Sequence, residues 1–417
     1  MYLEPSSLQR VVRDLLIAEL ASLRRTDPLF LLPHIDPSQR LGPDGVGLDS
    51  FEFITVAASI SRMFRLGDAG IDDYLLARPT VSDWSKLVAS VLRERDAQVV
   101  FRTSGSTGAA REVAHRFADL TDEAAHFAEI VDPGGTFHVT VPTHHIYGFI
   151  FGALVPSLAG QPIAEARGLA LARVRPAPGD VIVAFPHALS ILDRNGALVA
   201  EGLSVVSSTA PCPPELAQSV RAAGVRLIEV YGSTETAGVG FRETSGPYRL
   251  LPIWQRAGNG IRRRGDIPRQ NDDNTAATPD TARVSDSMEI DLPDAIALPD
   301  NVEWMDDRHF LPIRRTDSAV QVGGVNVIPS EVEGVLTAHP SVTAASVRLM
   351  QPSEGVRLKA FIVPSGPEYS EAELRAHVTH HLPSAARPAV YTVGSALPRN
   401  DMGKLCDWPV TSSASSL

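Results

Sequence analysis

The sequence predicts a multidomain protein: a helical bundle at the N-terminus, an α/β layered core, and a small α+β domain at the C-terminus. Three changes of texture along the 417 residues support this. Apolar side chains recur at helical spacing up to about Arg95. From about Ala97 short β-branched runs alternate with helix-like stretches, and from Phe310 onward both kinds return in a compact series. The boundaries drawn from these changes are 1–95, 96–313 and 314–417.

The first helix lies in SSLQRVVRDLLIAELASL, whose apolar residues share a face after a Ser-Ser start suited to capping. A loop rich in Pro, Gly and Asp (PHIDPSQRLGPDGVGLD) leads to a second amphipathic helix, SFEFITVAASISRMF, and VSDWSKLVASVLRER supplies a third. Helices joined by such loops make a small bundle. In the core, VVFRTS, FHVTVPT, DVIVAFP, GLSVVSS and VRLIEVYG read as strands between helices. Between about Arg256 and Leu298 the alternation stops, and RAGNGIRRRGDIPRQNDDNTAATPDTARVSDS reads in part as a mobile surface loop. SAVQVGGVNVIP, SEVEGVLTAH, TAASVRLM, LKAFIVP and EAELRAHVTHHL then build the C-terminal domain, and no internal repeat is evident.

Composition narrows the function classes. Hydrophobic content of 44% with 21% charged residues allows a core for each domain. A formal net charge of −11 argues against a nucleic-acid partner, which would require a concentrated basic surface. Cys212 and Cys406 are far apart and match no metal-ligand spacing, which fits a reducing cytoplasm better than a disulfide framework. The N-terminus lacks the pattern of a signal peptide. The longest apolar stretch, 148–159, contains Gly and Pro and is too short to cross a bilayer. The expectation is a cytoplasmic protein with no membrane partner.

After the strand-like VVF comes RTSGSTGAAREV, with Thr103, Ser104, Gly105, Ser106, Thr107 and Gly108 in succession and Arg111 just beyond. The glycines let backbone N–H groups approach an anion, the hydroxyls add donors, and the arginine adds charge. The spacing is not that of a Walker loop. TSGSTG resembles the phosphate-binding signature of the adenylate-forming superfamily, which includes acyl-CoA synthetases, aryl-acid ligases and adenylation domains. The family's following Pro-Lys is Ala110-Arg111 here, which keeps the positive charge, and His115 in VAHR matches a residue common there.

Further segments resemble the family in its own order. THHIYGFIFGALVPSLAG is similar to the segment lining the acid pocket, with His145 at the gating position and Tyr147-Gly148 after it. SSTAPCPPEL resembles the adenine-contacting stretch, with Ser208-Thr209 where the family has Gly-Gly. EVYGSTETAG is similar to the strand-end motif. That resemblance implies that Tyr231, beside Gly232, stacks on adenine, that Thr234 bonds a phosphate or the acid carboxylate, and that Glu235 holds Mg²⁺. In LPDNVEW, Asp300 would grip both ribose hydroxyls; in IRRTDSAVQVGGVNVIPSEVE, Arg315 would touch the nucleotide and Asp317 would be a hinge. LPRNDMGKLCDW supplies Lys404 as the catalytic lysine. The phosphate loop comes early for this family, so 96–313 is expected to be an adenylation core with a shortened N-terminal subdomain, and 314–417 its mobile C-terminal subdomain.

The chemistry implied needs such groups. A carboxylate attacking the α-phosphate of ATP brings two anions together, at a cost of roughly 1 kcal/mol at about 4 Å in water and several-fold more in a less polar site. Lys404, oriented donors and Mg²⁺ would offset that repulsion where charge develops.

The N-terminal unit has its own resemblance. GLDSFEFITVAASISRMF, with Asp49-Ser50-Phe51 and then Phe64, is similar to an acyl carrier domain, and IDDYLLARPTVSDWSKLV to that domain's last loop and helix. This implies a carrier-like bundle over 1–95 in which Ser50, at a helix start that favours negative charge, bears phosphopantetheine installed by a phosphopantetheinyl transferase. A capping role for Ser50 stands beside that reading. The leading functional expectation is ATP-dependent conversion of a small carboxylic acid, favouring an aromatic or unsaturated one, to acyl-AMP with release of pyrophosphate. The acyl group then passes to a phosphopantetheine thiol on Ser50 or on a carrier protein in trans. The alternatives are a ligase using free coenzyme A and a catalytically silent carrier or scaffold.

Overall fold

A computed structural model describes residues 3–102, 111–264, 295–315, 319–398 and 407–410, with 314 and 315 as backbone alone. Helix α1 (Pro5–Arg24) starts with proline at its first position and ends at Arg25, whose left-handed backbone (φ 52°) turns its N–H back onto Ser22. Helix α2 (Ser50–Phe64) opens with a capping box: Asp49 accepts from the Glu52 N–H, and Glu52 accepts from the Asp49 N–H. Helix α3 (Val81–Val91) is capped by the Thr80 side chain, which accepts from the Asp83 N–H.

These helices do not close on themselves. Leu8, Val12, Leu16, Phe64, Trp84 and Val88 belong to one continuous core with Val99, Phe101, Phe127, Phe149 and Phe310. Polar ties reinforce the join. Arg10 and Arg13 of α1 reach Glu165 at 3.0 and 2.9 Å. The buried Asp14 accepts from the Thr143 N–H and hydroxyl at 2.8 and 2.7 Å and from Arg167 at 2.5 Å. A self-contained carrier-like bundle therefore finds no support in the packing. The N-terminal helices form a layer on the central domain.

Strands β1 (Gln98–Arg102) and β2 (Glu112–Arg116) pair antiparallel on either side of 103–110, and α4 (Phe117–Val131) follows. The central sheet has nine strands among the described residues. β3 (Phe137–Val139), β4 (Ile163–Glu165), β5 (Val181–Ala184), β6 (Ser204–Ser207) and β7 (Arg226–Ser233) are parallel in the order β4-β3-β5-β6-β7. The run Val181–Ala184 shows why they lie inside. Val181 and Val183 enter the main core, while Ile182 and Ala184 enter a second core on the opposite face with Leu189, Val205 and Leu227. A strand buried on both faces has no polar alternation.

From β7 the sheet continues antiparallel through β8 (Ala237–Arg242) and β9 (Tyr248–Leu250). A separate hairpin, β10 (Trp254–Ala257) with β11 (Gly260–Arg263), intervenes before β12 (Asp300–Trp304) and β13 (His309–Arg315) complete the sheet beside β9.

The C-terminal unit has its own core, including Val332, Leu336, Leu358, Ile362 and Val378. It opens with the hairpin β14 (Val320–Val322) and β15 (Val325–Val327), turned by Gly323 and Gly324 at φ 58° and 84°. Positive φ at both central residues is what a two-residue hairpin turn demands. Helices Pro329–Thr337 and Glu371–His381 pack with β16 (Val342–Leu349), β17 (Leu358–Pro364) and β18 (Val390–Val393). Fully buried Lys359 pairs with Glu354 and Asp407 at 2.7 and 3.0 Å, which pins 407–410 to this unit. The expected α/β core and α+β C-terminal domain are both present.

Candidate functional site

The chain crosses from β3 to β4 on one side and then to β5 on the other, so the sheet has a topological switch point at β3. Crevices beyond the C-terminal ends of parallel strands at such a point are where open α/β sheets bind ligands. The segments there are 140–145 after β3, Phe185 after β5, 208–210 after β6 and 234–236 after β7. Most of the sequence-predicted residues among the described ones meet on this edge.

Tyr231 and Asp300 meet directly. The antiparallel half curls so that Asp300, in β12 four strands away, accepts from the Tyr231 hydroxyl at 2.7 Å. The Tyr231 ring is braced by Phe310 and Tyr248 at centroid separations of 5.3 and 5.7 Å. Gly232 follows, exposed, and a Cβ there would sit 2.2 Å from the Ala237 carbonyl oxygen. Arg315 lies opposite Asp300 in the β12–β13 register, described as backbone only.

The turn after β7 presents Thr234 and Glu235. His115 Nε2 donates to the Thr234 carbonyl at 2.7 Å, which sets the tautomer. Burial lowers the His115 pKa, against the opposing effect of that bond, so the ring is neutral near pH 7. Glu235 is exposed, and among the described residues no hydrogen bond or ion pair engages its carboxylate. It borders a cavity of ≈ 360 Å³ lined also by His115, Asp119, Glu123, Trp254 and Arg263. No group of three or more His, Cys, Asp or Glu among the described residues suits a metal by itself. A single free carboxylate on a cavity nevertheless fits Mg²⁺, which is commonly held by one or two carboxylates plus substrate phosphates.

Beyond β3, His145 precedes the first turn of helix 146–159, with the His144 ring 4.1 Å away between centroids. Desolvation pushes both imidazoles below the ordinary histidine value; charge on His145 and on Arg167 further opposes protonation of His144, while Asp14 partly offsets the effect at His145. His144 Nδ1 is buried without a partner among the described residues, whereas His145 is the more exposed ring. The Tyr147 hydroxyl reaches the carbonyls of Ala184 and Val206, both at 2.8 Å, and so ties the helix to the ends of β5 and β6. Gly148 is obligatory, since a Cβ would lie 2.0 Å from the Pro142 carbonyl oxygen. A π-turn interrupts the helix over Ile150–Leu154, an irregularity common beside functional sites.

At the end of β6, Ser208 donates to the Val230 carbonyl at 2.9 Å and Thr209 takes φ 74°. The family's glycine at such a place would adopt this backbone without strain. A Cβ built on Gly324 would lie 3.5 Å from Thr209 Oγ1, so the β14–β15 turn comes close to this edge. Cys212 is buried, and burial pushes its thiol up to about 12, which makes it inert near neutral pH.

Thr103, Ser104, Gly105, Ser106, Thr107, Gly108, Asp317 and Lys404 lie outside the described residues. Arg111 resumes the chain, exposed, just before β2. Ser50 is exposed at the first position of α2, but the cap is Asp49. The capping box engages the N–H groups there and places the Asp49 and Glu52 carboxylates beside the serine at 2.8 and 3.1 Å from their donors. Arg24 pairs with the Glu52 carboxylate at 2.7 Å, so the box is also tied to α1, and the arrangement accounts for Asp49-Ser50 as a helix start without a phosphopantetheine arm.

Sequence reasoning missed Asp14, Arg167 and Glu123. Glu123 was detectable: it interrupts the helical stripe Phe117, Leu120, Ala124, Phe127, and an acid on a buried stripe is a signal in itself.

Residues 65–260 match the profile of the AMP-binding enzyme family, and 331–404 match the AMP-binding enzyme C-terminal domain. A 4-coumarate–CoA ligase of Halorhodospira halophila is 35% identical over 97% of this chain and 99% of its own length. A 4-coumarate–CoA ligase of Rhodobacter capsulatus is 36% identical over 95% of this chain and 100% of its own. The solved o-succinylbenzoate CoA synthetase of Bacillus subtilis superposes with a TM-score of 0.57 at 19% identity, covering 75% of this chain and 69% of that one. Both relatives thus align along nearly the whole of this chain, most of the N-terminal 95 residues included. Among the described residues no helix is long and apolar enough to cross a membrane.

Proposed function

This chain belongs to the AMP-binding enzyme family, and from that premise we propose that it is an AMP-forming ligase joining an aromatic, unsaturated carboxylic acid of the 4-coumarate type to coenzyme A. The two end-to-end relatives are both 4-coumarate–CoA ligases, which favours free coenzyme A over a carrier thiol as acceptor.

The observation that carries the reading is the pairing of Tyr231 with Asp300 on the strand edge that also presents Thr234 and Glu235. Tyr231 offers a braced ring face to adenine. Asp300 keeps its second carboxylate oxygen for the ribose hydroxyls. In the first half-reaction a carboxylate oxygen attacks the α-phosphorus of ATP, the bond to the β-phosphate oxygen breaks, and pyrophosphate leaves with the electron pair. Thr234 would donate to the phosphate or the acid, and Mg²⁺, held by Glu235, would neutralise triphosphate charge. Residues 103–108, Arg111 and Arg315 are assigned to the nucleotide, and Lys404 to the meeting carboxylate and phosphate. In the second half-reaction the thiol sulfur attacks the acyl carbonyl carbon, AMP departs, and the thiol proton is lost to solvent. Neutral His145, at the mouth of helix 146–159, would border the acid. A hinge at Asp317 would let the C-terminal unit, 314–417, serve both steps.

The test is pyrophosphate exchange without thiol across aryl, fatty and amino acids. Exchange with hydroxycinnamic acids above the other classes is expected. Exchange with none of them, or with amino acids alone, would reject the reading.

A further inference from the structure

Gly238 sits just past the β7–β8 turn in an unusual position. The β7–β8 register slips between Tyr231 and Gly232, and beyond the slip only Gly232↔Gly238 and Ser233↔Ala237 hold the ladder. On the other side β9 pairs first at Gly240, so the outward N–H and C=O of Gly238 have no strand to meet. Both would be orphaned inside the protein. Two side chains from elsewhere take them. Glu123 Oε1, from α4, accepts the Gly238 N–H at 2.9 Å, and Trp254 Nε1, from β10, donates to the Gly238 carbonyl at 2.7 Å.

The fit is close. A Cβ at position 238 would fall 2.3 Å from Glu123 Oε1 and 3.1 Å from the Phe127 ring. Ala237, next to it, holds φ 56° without being glycine, a conformation that persists only where its surroundings enforce it. His115 fixes the other end of the same turn through the Thr234 carbonyl.

We propose that Glu123 is a positioning residue for nucleotide binding: with Trp254 it clamps Gly238 through its N–H and its C=O and so sets the turn that aims Thr234 and Glu235 at the phosphates of Mg·ATP. The inference rests on the function proposed above. Glu123 touches no reacting atom; it acts through the turn. Nearly isosteric Glu123→Gln keeps an acceptor oxygen for the Gly238 N–H, whereas Glu123→Leu fills similar space and removes it. Loss of one hydrogen bond that orders the turn is expected to weaken Mg·ATP about tenfold.

The experiment measures the equilibrium dissociation constant of Mg·ATP by calorimetry, and the KM of the acid in pyrophosphate exchange, for the whole protein and for Glu123→Leu, Glu123→Gln and Trp254→Phe. Near-UV circular dichroism checks folding. Glu123→Leu and Trp254→Phe should weaken Mg·ATP by about an order of magnitude and move the acid KM less than about threefold. Glu123→Gln should recover most of the affinity. If Glu123→Leu does not fold, Trp254→Phe against Glu123→Gln decides. Folded variants binding Mg·ATP as the parent does, or a Gln variant as impaired as the Leu variant, would overturn the proposal. A parent chain that binds Mg·ATP but activates no acid would remove the acid-ligase reading and leave this clamp testable by binding alone. A parent that binds no Mg·ATP would overturn both.

Discussion

On the proposed function, Asp300 is the residue on which nucleotide recognition would most depend, because one carboxylate oxygen orients Tyr231 and the other would take a diol. Replacing it by alanine removes a charged acceptor, so Asp300→Ala should raise the KM of ATP in pyrophosphate exchange by about ten- to a hundredfold. Tyr231→Phe, which keeps the ring and loses only the hydroxyl, should cost less. Equal KM values for Asp300→Ala and the parent would contradict the assignment. Glu123 makes a separate prediction about stability. Burial raises its pKa from 4.5 to about 8, so the native state keeps a proton that the unfolded chain releases. Stability from this group is full below about 4.5 and is lost as pH rises through about 8. The melting temperature of Glu123→Gln should therefore gain on the parent between pH 5 and pH 8, and parallel profiles would refute the shift.

Elements differ in how far their sequence declared them. The strands of the parallel sheet were legible because residues such as Val181–Ala184 are apolar on both faces and end in small turns. Helix α1 was equally legible as a helix, yet its stripe says only that one face is buried, not against what. The answer lay in Asp14, an acid within a helix, which carries no periodic signal and reveals its role only through Thr143 and Arg167. Removing one partner of such a buried group strands the other. Asp14→Ala is expected to destabilise the protein by about 3–5 kcal/mol in urea unfolding. A loss below about 1 kcal/mol would show the network to be incidental. The site motifs were legible because the backbone shapes they need leave few residue choices, as at Gly148.

For the whole molecule, the decisive correction is that residues before 95 share the central core. A true carrier unit would fold alone. Here 1–95, expressed alone, should lack cooperative unfolding, since Trp84, Phe64 and Leu16 would lose their partners. Cooperative unfolding of 1–95 alone would restore the carrier reading. At Ser50 the sequence allows two readings, because an Asp-Ser-Phe helix start is also what a capping box looks like, and Asp49 with Glu52 forms one. The central claim concerns the whole reaction, and product identity tests it most directly. The protein incubated with ATP, 4-coumarate and coenzyme A, and followed by phosphorus NMR and mass spectrometry, should give AMP, pyrophosphate and the coenzyme A thioester in equal amounts, with Ser50→Ala unchanged. Formation of ADP and phosphate, or acyl groups carried by Ser50 with no free thioester, would contradict it.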